Sequence, residues 1–322
     1  MGSSAPYNSE VYCVVVTYNG SQWIRQCLGS LLRSSFPLNI IVVDNNSKDD
    51  TVEIIREDFA QVDLILCSEN LGFGKANNVG ISKAISRDAE FVFLLNQDAW
   101  VEADTVEKLI TALQKNAQYG TVSPLHYAAS GKNLDKGFHN YLLREYSQNE
   151  IDVFIDHRSS EIKEISFANA AAWLISRRCL EKVGGFNPLF FLYGEDNEYV
   201  NRLKFHDFKL GILPGSKMYH DREARDESSS FESQIRITRY YQIKMIVRLT
   251  DANQRFVLAQ LFAWIWLSKE TLFHLFWKGR LFALPAFFKI FFYSISMIST
   301  VVEMRNKIET KNSFLFLTPG SI

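Results

Sequence analysis

The amino-acid sequence predicts an α/β fold with a mostly parallel central sheet, helices on both of its faces, and a helical extension after it. Three observations predict this fold. Short apolar runs alternate with stretches of helical spacing over the first two thirds of the 322 residues, which is typical of strands buried on both faces. Small polar residues follow several of these runs, at the strand ends where such sheets bind ligands. Beyond residue 230 the pattern is helical throughout.

The first half of the chain alternates regularly. Val11–Thr17 is a β-branched run that favours a strand, and Gly20–Leu32 has apolar residues at helical spacing. The same two patterns continue along the chain and predict strands at Ile40–Val43, Leu64–Cys67 and Phe91–Leu95, with helices at Asp50–Phe59, Lys75–Ile85 and Thr105–Leu113.

The second half of this α/β region is less regular. Residues 126–162 are polar and predict a loop over the site. Further elements are then predicted in the order strand Ile165–Phe167, strand Ala172–Ile175, a helix that begins near Glu195, and a last strand Lys209–Leu213. The charged stretch Arg222–Ser230 predicts a domain boundary.

Composition excludes one class of partner and indicates a compartment. With 35 Lys+Arg against 36 Asp+Glu, the chain is not a generally basic nucleic-acid binder, and we expect no nucleic-acid partner. The four cysteines are widely spaced without a C-x-x-C pair, so we expect them to be reduced and buried. The N-terminus has neither the basic nor the apolar segment of a signal peptide, which predicts a cytoplasmic protein.

Two polar motifs follow predicted strands in the first half. Asp44, in the segment VDNNS, would accept hydrogen bonds from a nucleotide base or ribose, although Asp, Asn and Ser equally favour a turn and helix cap. Gly72 and Gly74 precede a helix, where the backbone can approach a ligand and the helix N-terminus favours phosphate. A tight strand-to-helix loop explains the same glycines.

Three further positions carry candidate chemistry. Asp98 follows the strand FVFLL and suits a divalent cation, whereas a lone aspartate there is more often a turn residue. Glu195 and Asp196 start a helix, where acidic residues stabilise the dipole or supply a general base. His220 lies in the segment MYHD, and a lone histidine is more often structural than a metal ligand.

The order and spacing of these motifs are more specific than any one of them. Over residues 11–221 the chain resembles the family 2 glycosyltransferases, which have the GT-A fold, and in particular bacterial rhamnosyltransferase-like members. The resemblance rests on the segments VVVTYNG, IIVVDNNSKDDT, ENLGFGKANNVGI, FLLNQDAWVE, GGFNPLFFLYGEDNEYVNRL and MYHD.

The resemblance implies a role for each matching residue. Asp44 would bind the base of the donor, with Thr17 and Asn19 lining the nucleotide pocket, and the residues near the ribose and diphosphate would be Asn70, Gly72 and Asn77. Asn96, Gln97 and Asp98 occupy the D-x-D position, with Asp98 and His220 as ligands of Mn²⁺ or Mg²⁺. Asn96 stands where the family often has Asp, which removes one charge from that site. Asp196, in the pair with Glu195, would be the catalytic base.

The implied reaction is an inverting transfer, best matched by L-rhamnose passing from dTDP-rhamnose to a hydroxyl of a lipid-linked glycan during bacterial surface polysaccharide synthesis, as for O-antigen. One alternative keeps this chemistry with a UDP-hexose or UDP-N-acetylhexosamine donor. Another, from a different class, is a catalytically decayed nucleotide-sugar-binding or membrane scaffold protein.

The C-terminal third differs in composition from the rest. It holds 12 of the 25 Phe, and residues 232–289 contain nine basic against three acidic residues. Leu281–Val302 predicts one amphipathic helix with a polar stripe, and its longest charge-free stretch, Ile290–Val302, is too short to cross a bilayer. We therefore expect peripheral contact of residues 231–302 with the inner face of the cytoplasmic membrane. The alternatives are packing on the catalytic domain or a homodimer.

These observations divide the chain into four parts. Residues 1–10 form an N-terminal extension, either disordered or left from cloning, and residues 11–222 form the GT-A catalytic domain. Residues 223–230 form a linker, and residues 231–322 form an amphipathic helical region.

Overall fold

A computed structural model of the chain describes residues 10–157, 159–221, 230–278, 281–310 and 313–317. The predicted N-terminal extension, apart from Glu10, and the predicted linker, apart from Ser230, lie outside the described residues.

One nine-stranded mixed sheet forms the centre of the described chain. Its strands are β1 Val11–Thr17, β2 Asn39–Asp44, β3 Asp63–Leu66, β4 Phe91–Asn96, β5 Ala99–Val101, β6 Tyr119–Ala128, β7 Lys163–Glu164, β8 Ala172–Ser176 and β9 Lys209–His220. They lie in the order β3-β2-β1-β4-β8-β6-β9-β5, with β7 paired to β9. β3, β2, β1 and β4 are parallel, whereas β8 pairs antiparallel with β4 and β6. The four parallel strands bring the ends of β1, β2 and β4 to one edge, and the predicted α/β class is confirmed.

Helices cover this sheet and continue beyond it. They are α1 Ile24–Leu32, α2 Thr51–Asp58, α3 Phe73–Ser86, α4 Thr105–Lys115, α5 Lys136–Leu142, α6 Gln148–His157, α7 Arg177–Val183, α8 Glu195–Phe205, α9 Ser230–Thr250, α10 Phe256–Leu272, α11 Ala283–Ser296 and α12 Ile298–Glu309. A π-helical turn, Phe273–Trp277, continues α10.

The place of strand β1 in the sheet explains why its residues are apolar up to Thr17. Tyr12 and Val14 belong to the hydrophobic cluster on one face of the sheet, and Val11, Cys13 and Val15 belong to the cluster on the other. Because successive side chains of a strand point to opposite faces, a strand covered by helices on both sides has no solvent-facing position. All four cysteines are free, and three of them are buried.

The prediction of a loop over residues 126–162 is wrong. Strand β6 continues to Ala128, and two helices, α5 and α6, occupy nearly half of the segment. Asp135 caps α5 by accepting a hydrogen bond from the backbone N–H of Phe138, and Phe138, Leu142 and Ile151 are buried. A few large apolar side chains in a polar segment thus suffice to dock two short helices, a pattern too sparse for periodicity to reveal.

Two strand boundaries also differ from prediction. The short strand after α6 is Lys163–Glu164 rather than Ile165–Phe167. The last strand was predicted to end at Leu213, before Pro214 and Gly215, but β9 continues to His220 because a register shift beside Pro124 absorbs the irregular residues. This continuation carries His220 to the end of the sheet.

The four C-terminal helices share a core, which includes Met245, Leu249, Leu267, Ile290 and Val301 and to which Phe190 also belongs. The single helix predicted over Leu281–Val302 is wrong, because α11 and α12 meet at an angle of 53°. Hydroxyl groups of Ser294 and Ser296 bond back to carbonyls three residues earlier, immediately before the break. Such bonds compete with the helical ladder and bend helices.

One helix of the described chain is long and apolar enough to cross a membrane. It is Phe256–Trp277, of 22 residues, with a mean hydropathy of 1.2 over 18 of them. The bent pair of α11 and α12 meets the same test of length and composition only if both helices are counted as one segment.

Candidate active site

The ends of β1, β2 and β4 bring the first group of site residues together. Thr17 lies beside Asp44 in the register of β1 and β2, and Val16 lies beside Asn96 in that of β1 and β4. The side chain of Gln97 reaches back across this edge. Its Oε1 accepts hydrogen bonds from the hydroxyl of Thr17 at 2.6 Å and from the backbone N–H of Tyr18 at 2.9 Å. Gln97 therefore ties the end of β4 to the loop after β1.

Asp44 presents a buried carboxylate oxygen that has no partner among the described residues. The side chain is 3% exposed, and its Oδ2 accepts a hydrogen bond from the backbone N–H of Ser47 at 3.0 Å, while Oδ1 accepts none. The bond to Ser47 is the turn contact that Asp favours at such a position. Leaving the other oxygen unpaired is costly, so Oδ1 is suited to accept an N–H group from a ligand.

Asn19 links the loops that follow β1 and β2. It has a positive φ of 49°. Its backbone N–H donates to the hydroxyl of Ser47 at 2.9 Å, and its Oδ1 accepts from the backbone N–H of Lys48 at 2.8 Å. Asn is one of the few residues that adopt a left-handed conformation readily.

The loop before α3 is held by its own amide side chains. Asn70 Oδ1 accepts hydrogen bonds at 2.9 Å from the backbone N–H of Gly72 and from Nδ2 of Asn45, a residue that sequence reasoning missed. Asn77, predicted to contact the donor, is buried and donates to the carbonyl of Phe73 within its own helix. Asn70 thus shapes the loop, and the donor contacts of Asn70 and Asn77 stay predictions.

Gly72 lets this loop approach the segment that leads to the acidic pair. Its φ is +78°, and a Cβ atom there would lie 2.0 Å from the carbonyl oxygen of Phe191. The neighbouring Phe73 N–H donates to that same oxygen at 3.0 Å. A side chain at position 72 would therefore separate the two loops.

Asp98 and His220 meet at the other end of the same edge. Asp98 Oδ1 lies 3.2 Å from His220 Nε2, and the histidine is almost fully buried, while its Nδ1 has no partner among the described residues. Two ligands of one octahedral cation also lie about 3 Å apart, so the two side chains fit a shared ion. No cluster of three or more His, Cys, Asp or Glu suited to a metal exists within the described ranges. Further ligands would have to come from a substrate or from water.

The acidic pair begins α8, after Gly194 with its φ of +95°. Burial, and next the charge of Asp196, raise the pKa of Glu195 to about 8, and Glu195 Oε2 has no partner among the described residues. Burial also raises the pKa of Asp196, against hydrogen bonds from Asn197 and the charge of Lys244. Both carboxyl groups are thus more basic than free ones, as a general base requires.

The segment Gly184–Pro188 is fixed by buried polar contacts. The amide of Asn78 bonds to both the N–H and the carbonyl of Phe186, each at 2.7 Å. Arg202 forms a buried ion pair with Glu198 at 2.9 Å and also donates to the carbonyl of Gly185 at 2.7 Å. Sequence reasoning identified this segment as a motif but not these contacts, which support it from two helices.

Known proteins match this chain in sequence and in fold. The family model "Glycosyl transferase family 2" matches residues 12–184. The dTDP-rhamnosyl transferase RfbF of Shigella flexneri is 24% identical over 76% of this chain and 81% of its own. The N-acetylglucosaminyl-diphospho-decaprenol L-rhamnosyltransferase of Mycobacterium tuberculosis is 24% identical over 64% of this chain and 74% of its own.

A solved structure shares the fold over nearly the whole chain. It is the mannosyltransferase PcManGT from Pyrobaculum calidifontis in complex with GDP-Man and Mn²⁺, with a TM-score of 0.54 and 17% identity, covering 95% of this chain and 83% of that one. The GT-A fold predicted from the motifs is confirmed. The chain belongs to glycosyltransferase family 2, whose members use nucleotide-sugar donors, and it is similar to rhamnosyltransferases of that family.

Proposed function

We propose that this glycosyltransferase transfers L-rhamnose from dTDP-rhamnose, with inversion, to a hydroxyl of a lipid-linked glycan. The observation that carries the proposal is the arrangement at one edge of the sheet, where Asp44, the Asp98–His220 pair and the loop of Asp196 follow the ends of the strands. The nucleotide base needs a group that accepts its N–H, and Asp44 would be that group. The donor diphosphate needs a cation, which Asp98 and His220 would hold. The hydroxyl that receives the sugar needs a base, which would be Asp196.

Asp44 and the loops around it would hold the nucleoside. A thymine or uracil base presents one ring N–H between two carbonyls, and the unpaired Oδ1 of Asp44 would accept it. Thr17 and Asn19, fixed by Gln97 and Ser47, would form the wall of this pocket. Because both bases offer the same N–H, Asp44 alone does not distinguish a dTDP donor from a UDP donor.

Asp98 and His220 would hold a divalent cation together with the donor diphosphate. An oxygen and an imidazole nitrogen suit Mn²⁺ well, and Mg²⁺ less well because it prefers oxygen. When bound, such an ion offsets the negative charge that develops on the leaving diphosphate. Asn96 contributes no carboxylate, so the protein offers one negative charge to the ion at this position.

Asp196 would act as the base toward the acceptor. Its Oδ1 accepts hydrogen bonds from Asn197, which leaves Oδ2 to take the proton of the attacking hydroxyl. Glu195, with its pKa raised to about 8 by burial and by Asp196, holds a proton at neutral pH and would donate a hydrogen bond. Attack by the activated oxygen on the face opposite the diphosphate gives inversion at the anomeric carbon.

The choice of sugar and acceptor rests on the relatives. Both curated relatives described above are named for rhamnosyl transfer, and the name of the second specifies an N-acetylglucosaminyl-diphospho-decaprenol acceptor. A prenyl-linked acceptor would lie at a membrane, and the C-terminal helices expose apolar side chains that suit one. The largest exposed fractions are those of Val257 (73%), Phe276 (75%), Trp277 (83%) and Leu281 (82%). We therefore propose that α10 and α11 contact the inner face of the cytoplasmic membrane.

Thermal unfolding with a panel of donors, followed by a transfer assay, tests this function. With Mn²⁺ present, dTDP-rhamnose should raise the melting temperature more than UDP-glucose, UDP-N-acetylglucosamine or GDP-mannose, since only a donor that binds the folded chain does so. Rhamnose should then pass to a short-chain N-acetylglucosaminyl-diphospho-prenol, detected by mass spectrometry. A larger shift with a UDP-sugar would favour that donor instead. Binding without either transfer or donor hydrolysis would indicate the decayed scaffold protein.

A further inference from the structure

Helix α9 packs directly against the turn that carries the acidic pair. A Cβ atom at Gly194 would lie 2.6 Å from Cγ2 of Ile243 on α9. Phe190, four residues before Gly194, belongs to the hydrophobic core of the C-terminal helices together with Met245 and Ile246 of α9. The C-terminal helices therefore form one wall of the acidic pair's surroundings rather than a separate appendage.

A chain of hydrogen bonds runs from α9 to Asp196. Lys244 Nζ donates to Asn197 Oδ1 at 2.8 Å. Asn197 Nδ2 and its backbone N–H donate to Asp196 Oδ1 at 3.2 Å and 2.8 Å. A side-chain amide has one oxygen that accepts and one nitrogen that donates. An ammonium group on the oxygen side thus turns the nitrogen toward the carboxylate.

Few charged groups surround these hydrogen bonds between Lys244, Asn197 and Asp196. Facing Asp196 are Glu195 on its own helix and Lys244 on α9. Facing Lys244 are Asp196, Arg248 of α9 and Arg144, and the ring of Tyr240 lies 5.6 Å from its Nζ. Burial lowers the pKa of Lys244, which Asp196 opposes. The positive charge of Lys244 favours the ionised form of Asp196, so its loss would leave this partly exposed carboxylate without that favourable charge.

We propose that Lys244 is a positioning residue which, through the amide of Asn197, orients the carboxylate of Asp196 and supplies the positive charge facing it. The inference rests on the proposed function, because it takes Asp196 as the base. It makes the first C-terminal helix part of the catalytic centre on the acceptor side. Lys244 itself would touch neither the donor nor the acceptor.

The pH dependence of kcat/KM for rhamnose transfer to the short-chain prenyl-linked acceptor tests this role. In Lys244→Met the acidic limb should move toward higher pH by about one unit, because the carboxylate loses a stabilising charge. Activity would then fall about tenfold below the pKa of the base and recover at higher pH. Lys244→Arg should retain most of the wild-type profile, and Lys307→Met, which removes an exposed lysine paired with Glu303 on α12, should leave it unchanged. The apparent affinity for dTDP should be the same in all four proteins.

A second variant and a measurement without substrate guard against a trivial loss of folding. Asn197→Leu should shift the acidic limb of kcat/KM in the same direction as Lys244→Met. The double variant Lys244→Met/Asn197→Leu should shift it little further, since both substitutions interrupt the same hydrogen-bonded connection to Asp196. In urea unfolding, the stability of Lys244→Met should fall more steeply than that of wild type as pH rises above the ordinary pKa of aspartate, because a further raised carboxyl pKa binds more protons in the folded state.

Three outcomes separate the inference from the proposed function. An equal fractional loss of activity at every pH, or an unchanged profile in Lys244→Met, refutes the positioning role while Asp196→Asn still loses turnover. If Asp196→Asn transfers sugar at the wild-type rate, the base assignment itself is wrong. If the wild-type chain transfers no sugar, the proposed function fails, and the urea measurement alone decides whether Lys244 stabilises the charged form of Asp196.

Discussion

The sheet domain, residues 10–221, and the C-terminal helices α9–α12 differ in which side chains they leave exposed. Among the described residues, 17 of the 25 exposed large apolar side chains lie on α9, α10, α11 and the segments between the last two, although the sheet domain is about three times as long as this part of the chain. The sheet domain instead buries its unusual groups, which are the charged and polar side chains Asp44, Glu195, Glu198, Arg202 and His220.

Because of this difference, we expect substitutions in the two regions to have different effects. In the sheet domain, buried polar groups fix the loops at the strand ends, so their removal should cost stability or turnover. In the C-terminal region, exposed apolar area of this extent indicates a surface that is covered in use, so substitutions there should change binding and leave the fold intact.

The largest effect should come from the ion pair beneath the Gly184–Pro188 segment. Arg202→Met would leave Glu198 buried without its cation, and we expect the free energy of unfolding in urea to fall by about 3–5 kcal/mol. Arg25→Met, which removes an exposed partner of Asp58, is the matched control and should cost under about 1 kcal/mol. Equal losses in both variants would contradict the idea that burial sets the cost.

Glu195 should make the sheet domain less stable as pH rises. Its pKa is raised to about 8 by burial and by Asp196, from an ordinary value of 4.5, so the folded state binds a proton that the unfolded state releases. Stability should therefore fall between about pH 4.5 and 8, by on the order of 4 kcal/mol at most. In Glu195→Gln this decline should be much smaller when unfolding is followed across the same range. A parallel pH profile in the variant would show that Glu195 is ionised when folded.

Asp196→Asn should separate turnover from donor binding. Loss of the base should lower kcat for sugar transfer by about 10²-fold or more, since that is the usual contribution of general base catalysis. The thermal shift produced by dTDP should be unchanged, because Asp196 lies on the acceptor side. A variant with near wild-type turnover would exclude this residue as the base.

Asp98→Ala should lower both the affinity for the donor and the dependence of that affinity on metal. We expect the donor affinity measured with Mn²⁺ to fall about tenfold and to become insensitive to Mn²⁺, because one of two protein ligands is lost. Asp104→Ala, which removes a surface carboxylate paired with Lys108, is the control and should titrate like wild type. Asn96→Asp should shift the Mn²⁺ titration to lower concentrations. An unaltered titration in Asp98→Ala would place the ligand elsewhere.

The sequence was most informative where burial is uniform. Strand β1 was predicted without error and β4 to within one residue, because helices on both faces make every position apolar except the last. Strand β5 has three residues and α5 seven, too few for a pattern, and both were missed. Strand β6 is buried but was also missed, because Gly120, Ser123, Pro124 and His126 interrupt its apolar pattern. Chain order likewise predicted which motifs lie at the strand ends, since parallel strands end at one edge.

Contacts between distant segments could not be predicted in this way. Gly72 was predicted either to let the backbone approach a ligand or to form a tight strand-to-helix loop, but its steric requirement comes from the carbonyl of Phe191, more than a hundred residues later. The bond between Lys244 and Asn197 spans 47 residues and joins two regions that composition had separated. Periodicity reports which face of an element is buried, and it carries no information about which other element covers that face.

The smallest effect should come from the exposed tip of the C-terminal region, next to the π-helical turn. Trp277 is the most exposed large apolar side chain of the described chain, and insertion of such a ring into a bilayer interface contributes on the order of 1 kcal/mol. Trp277→Ser should therefore lower the partition coefficient of the full chain onto phosphatidylglycerol vesicles, measured by sedimentation, about fivefold. Leu66→Ser, at a half-exposed site of the sheet domain, should sediment like wild type.

The same variant distinguishes a membrane from a second copy of the chain. If the apolar face contacts lipid, wild type and Trp277→Ser should have the same molar mass in analytical ultracentrifugation without vesicles, and binding should weaken in salt because the region is basic. If wild type forms a dimer that Trp277→Ser disrupts, and neither protein binds vesicles, the face belongs to a homodimer. In that case the basic excess of residues 232–289 does not serve to bind anionic lipid. The C-terminal helices then expose apolar side chains because a second copy of the chain covers them.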